Sequence, residues 1–335
     1  MIRRASRTAY AAAGPLLGVA ALAALPVWLG HQTFYVNIAS QILLWAVAAL
    51  ALNVLVGYAG LVSLGHAGLL AIAGYTAGLA LHAGCGHLVA CLAAIGVTVA
   101  ASAAFAVLAL RSTGIGFLMI TLALGQIVWG IAYRWASLTN GDNGINLASR
   151  PAPFGLSLAG AEPFYYATLL IFLVALLSMR AFARSPFGAS VAGTRDQPRR
   201  MTALGFNVWL IRFLAFLVSG LWCSVAGLLY VYYHQFIAPP AAALTSSAEI
   251  LLMVISGGTA TLLGPIAGAA IVVVMKNVAS AYIERWNLVL GVIFILIISF
   301  MPEGLVPGSM RLARAAWGRM RLVLKGAQGA RGRPS

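Results

Sequence analysis

The sequence predicts an all-α protein: a polytopic membrane helix bundle of about ten transmembrane helices, some broken or re-entrant. Three observations predict it. Of 335 residues, 62% are hydrophobic and only 8% charged, with a mean hydropathy of +0.96, whereas a soluble surface carries about 25% charged residues. Apolar runs reach the ~20 residues that cross a bilayer, several without a single charge. The charges gather between those runs, so the net +15 reads as membrane topology rather than as a nucleic-acid footprint.

Ten candidate spans follow in order: residues 11–29, 38–56, 67–81, 88–110, 115–133, 164–182, 210–230, 248–263, 265–282 and 286–301. The first follows Arg3, Arg4 and Arg7 in the manner of a signal peptide. It exceeds the roughly 7–15 apolar residues of such a segment, so it is expected to remain as an uncleaved span. The third, eighth and tenth are short and are expected to be tilted, broken or partly re-entrant. Small residues at helix-packing spacing, Gly74 with Gly78 and Gly264 with Gly268, let backbones approach closely in lipid.

With an even number of spans, every Lys and Arg except Arg134, Arg150, Lys276 and Arg285 falls on the side of both termini, which places the termini in the cytoplasm. Residues 1–306 read as one transmembrane domain, with a hydrophilic outer loop at 134–163 and a basic cytoplasmic connection at 183–208. The basic tail 307–335 is suited to lie on anionic lipid or to act as a disordered topology anchor. Cys85, Cys91 and Cys223 form no CxxC pair and read as small apolar packing residues.

Chemistry is sparse. Lys276 and Lys325 are the only lysines and neither follows a phosphate-binding glycine loop, so ATP binding through a P-loop is excluded. Ser63 lies three residues before His66, but Gly60 stands three before Ser63, so the G-x-S-x-G nucleophile elbow is missing. No Cys and His cluster has zinc spacing, so no metal site and no catalytic residue is expected. No carboxylate falls plainly at mid-membrane, which argues against proton or sodium coupling. Glu249 sits near a helix end, and Lys276, about two turns from the outer end of its span, is expected to snorkel.

The most informative stretch is Asn53 to Gly68. There Asn53, Gly57, Tyr58, Gly60, Ser63, Gly65 and His66 interrupt an apolar run. Irregular backbone is tolerated at membrane depth only inside protein or beside a water-filled path. The stretch therefore reads as a broken helix lining a pathway; a plain cytoplasmic turn is the alternative.

At these residues the chain resembles the second permease subunit of branched-chain amino acid (LIV-type) ABC importers. The family run N-x-x-x-G-Y-A-G-x-x-S-L-G-H-A matches Asn53 to Ala67. Further matches follow in order: Thr121 to Gln126, Thr139 to Ile145, Ser185 to Gly188, Ala203 to Asn207, Leu214 to Phe216, Ala226 with Gly227, Gly258 to Ala269, and Pro302 to Leu305. The resemblance covers nearly the whole chain.

That resemblance implies a permease domain over 1–306 that works by alternating access, driven by two cytoplasmic ATPase subunits. It implies a second homologous permease, a periplasmic substrate-binding protein and surrounding lipid as partners, no nucleic acid, and a bacterial inner membrane location. ATP and Mg would be bound by the ATPases, with no cofactor in this chain. Ser185, Pro186, Phe187, Gly188, Arg195, Asp196, Arg199, Arg200, Leu204 and Gly205 would form the loop that docks on the ATPase. Here the chain departs from the family's acidic pattern, because residues 195–202 read Arg-Asp-Gln-Pro-Arg-Arg-Met-Thr; Pro198 suits the start of a short helix. The implied substrate is a branched-chain or similar small amino acid, with urea, amides and aromatic acids also fitting. A self-contained secondary transporter or channel for a small neutral solute is the alternative.

Overall fold

The computed structural model describes residues 18, 20–28, 32–147, 150, 157–282, 288, 291–292, 294–295, 299, 304–306 and 308. The predicted tenth span, the basic tail, Arg3, Arg4, Arg7, Arg285, Pro302 and Glu303 lie largely or wholly outside those residues. Of the first span, residues 20–28 are helical, held where Tyr165 donates to the Leu22 carbonyl at 2.6 Å.

Helix α1 (Thr33–Asn53) is the axis of the bundle. A helix apolar on every side belongs in a core, and α1 is buried without interruption from Leu43 to Asn53. It packs against α5 (Ala161–Arg184), α8 (Val208–His234), α9 (Leu244–Gly257) and α10 (Leu263–Tyr282). Helix α8 in turn carries α2 (His66–His82) and α3 (His87–Ala109), and α4 (Ile115–Arg134) leans on α2. Outer helices show the reverse of a soluble pattern. On α3 only Ala90, Ala94, Thr98, Ser102, Phe105, Ala106 and Ala109 are buried, at roughly helical spacing, while Leu88, Leu92 and Val97 face outward. Apolar side chains on both faces suit a lipid surround. The all-α membrane bundle is therefore observed.

Among the described residues, five helical segments are long and apolar enough to cross a membrane: Thr33–Ala59, His87–Ala109, Ile115–Arg134, Ala161–Arg184 and Val208–His234. The expected third and eighth spans are short, as α2 and α9, with 17 and 14 residues. The eighth ends earlier than its apolar run because Gly258 adopts φ 116°, and Leu263 belongs to the next helix.

At one end of the bundle the loop after α4 folds into a short helix (Ala136–Thr139), a 3-10 turn (Gly141–Asn143) and strand β1 (Ile145–Asn146). Strand β1 pairs antiparallel with β2 (Phe236–Ile237), Ile145 opposite Ile237. The ribbon lies on α2, where Ile237 and Ile145 rest against Gly74 and Gly78, and Val231 of α8 also reaches Gly74, so the small-residue motif packs both the ribbon and a second helix. Arg150 fastens the same end. Its Nε and Nη2 donate to the carbonyls of Tyr232 and Tyr233 at 3.0 and 3.1 Å, capping the negative C-terminus of α8, and its guanidinium lies 4.6 Å over the Phe164 ring. Burial pulls the Arg150 pKa below its usual value, partly offset by Tyr233.

Candidate functional site

The break after α1 is real. The helix passes into a π-helical turn, Val54–Ala59, then an irregular stretch from Gly60 to Gly65 before α2 begins. A π turn is a rare local widening that recurs at functional positions. Gly60 ends it with φ 68°, a left-handed conformation that costs a non-glycine residue energy.

The polar residues of the break hold it together. The His66 ring is 1% exposed, with Nδ1 3.1 Å from Ser63 Oγ and Nε2 2.8 Å from Ser219 Oγ. Ser219 donates its one hydroxyl proton to the Ala51 carbonyl at 2.6 Å, so it must accept from Nε2–H. Nδ1 is then bare and accepts from Ser63, whose oxygen accepts the Gly65 N–H. A neutral ring satisfies every group in this chain of bonds. It ties α1, the break and α8 in one line. Two more hydroxyls secure the backbone here: Thr121 accepts from Leu64 N–H at 3.2 Å and Ser247 from Ala67 N–H at 3.2 Å.

Asn53 joins this break to a second one. Its Nδ2 donates to the Thr261 carbonyl at 2.9 Å and its Oδ1 accepts from the Ala260 N–H at 3.1 Å. Both belong to the α9–α10 connection, where Ala260 is held at φ 60°. Gly57 sits in the angle between Asn53 and that connection, and a Cβ there would collide with the Asn53 side chain and the Ala260 backbone. Gly304 approaches Gly258 equally closely. Motif segments spread over 250 residues of chain thus converge on one node.

The segment 183–208 docks on the same node. It forms α6 (Pro186–Asp196) and α7 (Pro198–Ala203), each opened by proline, with the Ser185 hydroxyl capping α6 by accepting Gly188 N–H at 3.0 Å. Phe187 packs edge-on to Phe182, and Phe182 to Tyr58. Arg195 donates from Nη1 to the Gly57 carbonyl at 2.6 Å and from Nε to Asp196 at 2.9 Å. Arg212 on α8 donates to the Thr194 carbonyl at 2.7 Å. Beyond Asp196 most of the chain faces outward: α7 fully buries none of its residues and turns only Met201 toward the core, Arg199 and Arg200 are exposed, and Leu204 is 67% exposed. Gly205 follows in a left-handed turn at φ 86°.

Of the residues the sequence assigned to the broken helix, Asn53, Ser63, Gly65 and His66 are buried and bonded within the chain, Tyr58 is half-buried, and Gly60 is exposed beneath Arg195. The break is observed, but these side chains turn into protein. Of the loop residues, Ser185, Phe187, Gly188 and Arg195 anchor the segment, and the others face out. Sequence reasoning passed over Ser219, whose partner lies 153 residues away. It singled out Glu249 and Lys276 but not their pairing: they form an ion pair at 3.1 and 3.2 Å between α9 and α10, so Lys276 is held by this partner rather than simply snorkelling. Two lone opposite charges on neighbouring apolar helices were the available signal.

Residues 34–298 match the family model described as "Branched-chain amino acid transport system / permease component". The high-affinity branched-chain amino acid transport system permease proteins LivM of Salmonella typhimurium and Escherichia coli K12 are each 28% identical over 299 residues, covering 81% of this chain and 70% of the relative. No solved structure matches significantly.

Proposed function

The chain belongs to the branched-chain amino acid transport permease family, and from that premise we propose that it is one transmembrane subunit of an ATP-binding-cassette importer carrying branched-chain or similar small amino acids into the cytoplasm. It is a transporter membrane subunit of a multi-pass inner-membrane type rather than an enzyme. In this reading a second homologous permease completes the pathway, a periplasmic binding protein delivers the solute, and two cytoplasmic ATPases bind ATP and Mg. Both termini lie in the cytoplasm with α6 and α7.

One observation carries the reading: α7 exposes Arg199 and Arg200 and turns only Met201 inward, while Arg195, just before it, is bonded to the π turn of α1. A docked partner that moves α6 and α7 therefore pulls on the break directly. Through Asn53 the same pull reaches the α9–α10 connection. Alternating access needs such an element with two arrangements. Arg199, Arg200 and exposed Leu204 suit an acidic groove with an apolar floor on the ATPase.

The test is uptake in proteoliposomes holding this chain with its partner permease, ATPases and loaded binding protein. ATP-dependent accumulation of leucine is expected. Uptake by this chain alone, without ATPase, would establish the self-contained carrier instead. Strict preference for a sugar or for urea would refute the amino-acid assignment.

A further inference from the structure

The Glu249–Lys276 pair is not explained by the node described above, which lies at the other end of α9. An ion pair between apolar helices costs desolvation that apolar side chains would avoid. Charges retained in such a place ordinarily mark a solute or ion path. Both carboxylate oxygens of Glu249 face one ammonium, Nζ. The Glu249 side chain is 13% exposed and that of Lys276 is 37% exposed, so the pair is closed on the Glu249 side and open on the Lys276 side. An open lysine is poorly matched to hydrocarbon and well matched to water or a polar visitor.

A second observation points to a ligand. The Tyr75 hydroxyl on α2 is buried with no hydrogen-bond partner, and Tyr75 is only 6% exposed. An unsatisfied buried hydroxyl costs about 1–3 kcal/mol. Tyr75 is within electrostatic reach of Tyr230 on α8, Tyr230 of Glu249, and His234 of Lys276. Tyr230 stacks edge-on to Trp45 at 5.9 Å, which supplies an aromatic wall. Opposite charges thus stand in the half of the bundle away from α6 and α7, with Tyr230 near Glu249 and the spare Tyr75 hydroxyl near Tyr230 in turn.

We propose that Glu249 and Lys276, with Tyr75 and Tyr230, form a subsite for a zwitterionic solute. The pair is the solute's own charge pattern in reverse: an α-ammonium replaces Lys276 at the Glu249 carboxylate, and an α-carboxylate replaces Glu249 at Lys276 Nζ. The two side chains close on each other when the solute leaves, so neither charge is stranded. The proposal rests on the amino-acid import reading.

The test uses the complete transporter in nanodiscs, with radiolabelled leucine as ligand and two lopsided competitors. Leucinamide lacks the carboxylate and 4-methylpentanoate lacks the ammonium. On the native transporter each is expected to compete about tenfold or more worse than leucine, since a site built for a charged group rejects an analogue without it. Lys276→Met is expected to erase the penalty on leucinamide alone, and Glu249→Gln the penalty on 4-methylpentanoate alone. The double variant Glu249→Gln with Lys276→Met keeps the helices neutral and serves as the folding control by its melting temperature. Unchanged leucine affinity and competitor order in both single variants overturns the site, as does absence of leucine binding to the native transporter. Native proteoliposomes that accumulate leucine while both single variants match their rate and order refute the site and spare the import reading. Native proteoliposomes that take up no zwitterion refute the reading itself.

Discussion

Arg195 and Gly57, 138 residues apart, share a 2.6 Å hydrogen bond from Nη1 to the backbone carbonyl. The acceptor lies in the π turn, where the backbone departs from the regular α-helical ladder. The bond joins the segment carrying α6 and α7 to the helix at the bundle's axis. Arg195→Ala is expected to lower leucine uptake about tenfold while the ATPases still copurify, because α7 itself is untouched. Arg195→Lys, which keeps the charge without the planar fork, should recover only part. Uptake equal to the native rate in Arg195→Ala would falsify the coupling role.

The His66 ring is fixed as the neutral Nε2–H tautomer by the Ser219 to Ala51 bond. Nitrogen NMR on labelled protein should show one protonated and one bare ring nitrogen, with the bare one at Nδ1. Ser219→Ala strands Nε2–H, while the Ala51 carbonyl keeps the Val54 N–H, and is expected to cost about 1–3 kcal/mol in unfolding experiments in detergent. A ring protonated on Nδ1 would contradict the assignment.

Asn53 closes two bonds to the α9–α10 connection. Asn53→Ala should destabilise by about 2–4 kcal/mol, the sum of two interrupted bonds and a small cavity. Ala260→Gly should do the opposite in the folded state, relieving φ 60°. Its gain is limited to about 1 kcal/mol because glycine also frees the unfolded chain. Gly57→Ala has no such latitude and is expected to prevent accumulation of folded protein.

Arg199 and Arg200 are exposed on a helix with no buried residue. Reversing both to Glu should abolish copurification of the native ATPases without changing the melting temperature of the permease pair. Replacing those ATPases with a relative's that lacks a complementary acidic groove should reduce assembly of the unaltered chain in the same way. Equal assembly in both comparisons would remove the charge argument.

Much of the fold was legible because it depends on local properties. Apolar length placed α1, α3, α4, α5 and α8 within a few residues, and the glycines with Asn53 located the break. Pro198 marked the start of α7 as read from its ring geometry. The facing of the polar side chains was not legible. Whether His66 looks into a pathway or into α8 depends on Ser219, and nothing local in the sequence pairs the two. The short α9 was overrun for a related reason. Residues 258–262 are apolar or small enough to extend a helix on paper, but Gly258 turns at φ 116° and Asn53 binds the backbone at 260 and 261. Lys276 looked like an interfacial anchor because its partner lies 27 residues earlier on a different helix.

Arg150 binds the last turn of α8, the carbonyls at 158 and 159 and the Phe164 ring together, while the β1–β2 ribbon ties the loop after α4 to the chain leaving α8. These fastenings make a single lintel of parts drawn from three regions of the chain. A doorway framed in this way does not open by parting α5 from α8 at that end. Whatever admits a solute from this side must swing the lintel whole, or work at the free edge where α9 and α10 stand outside it.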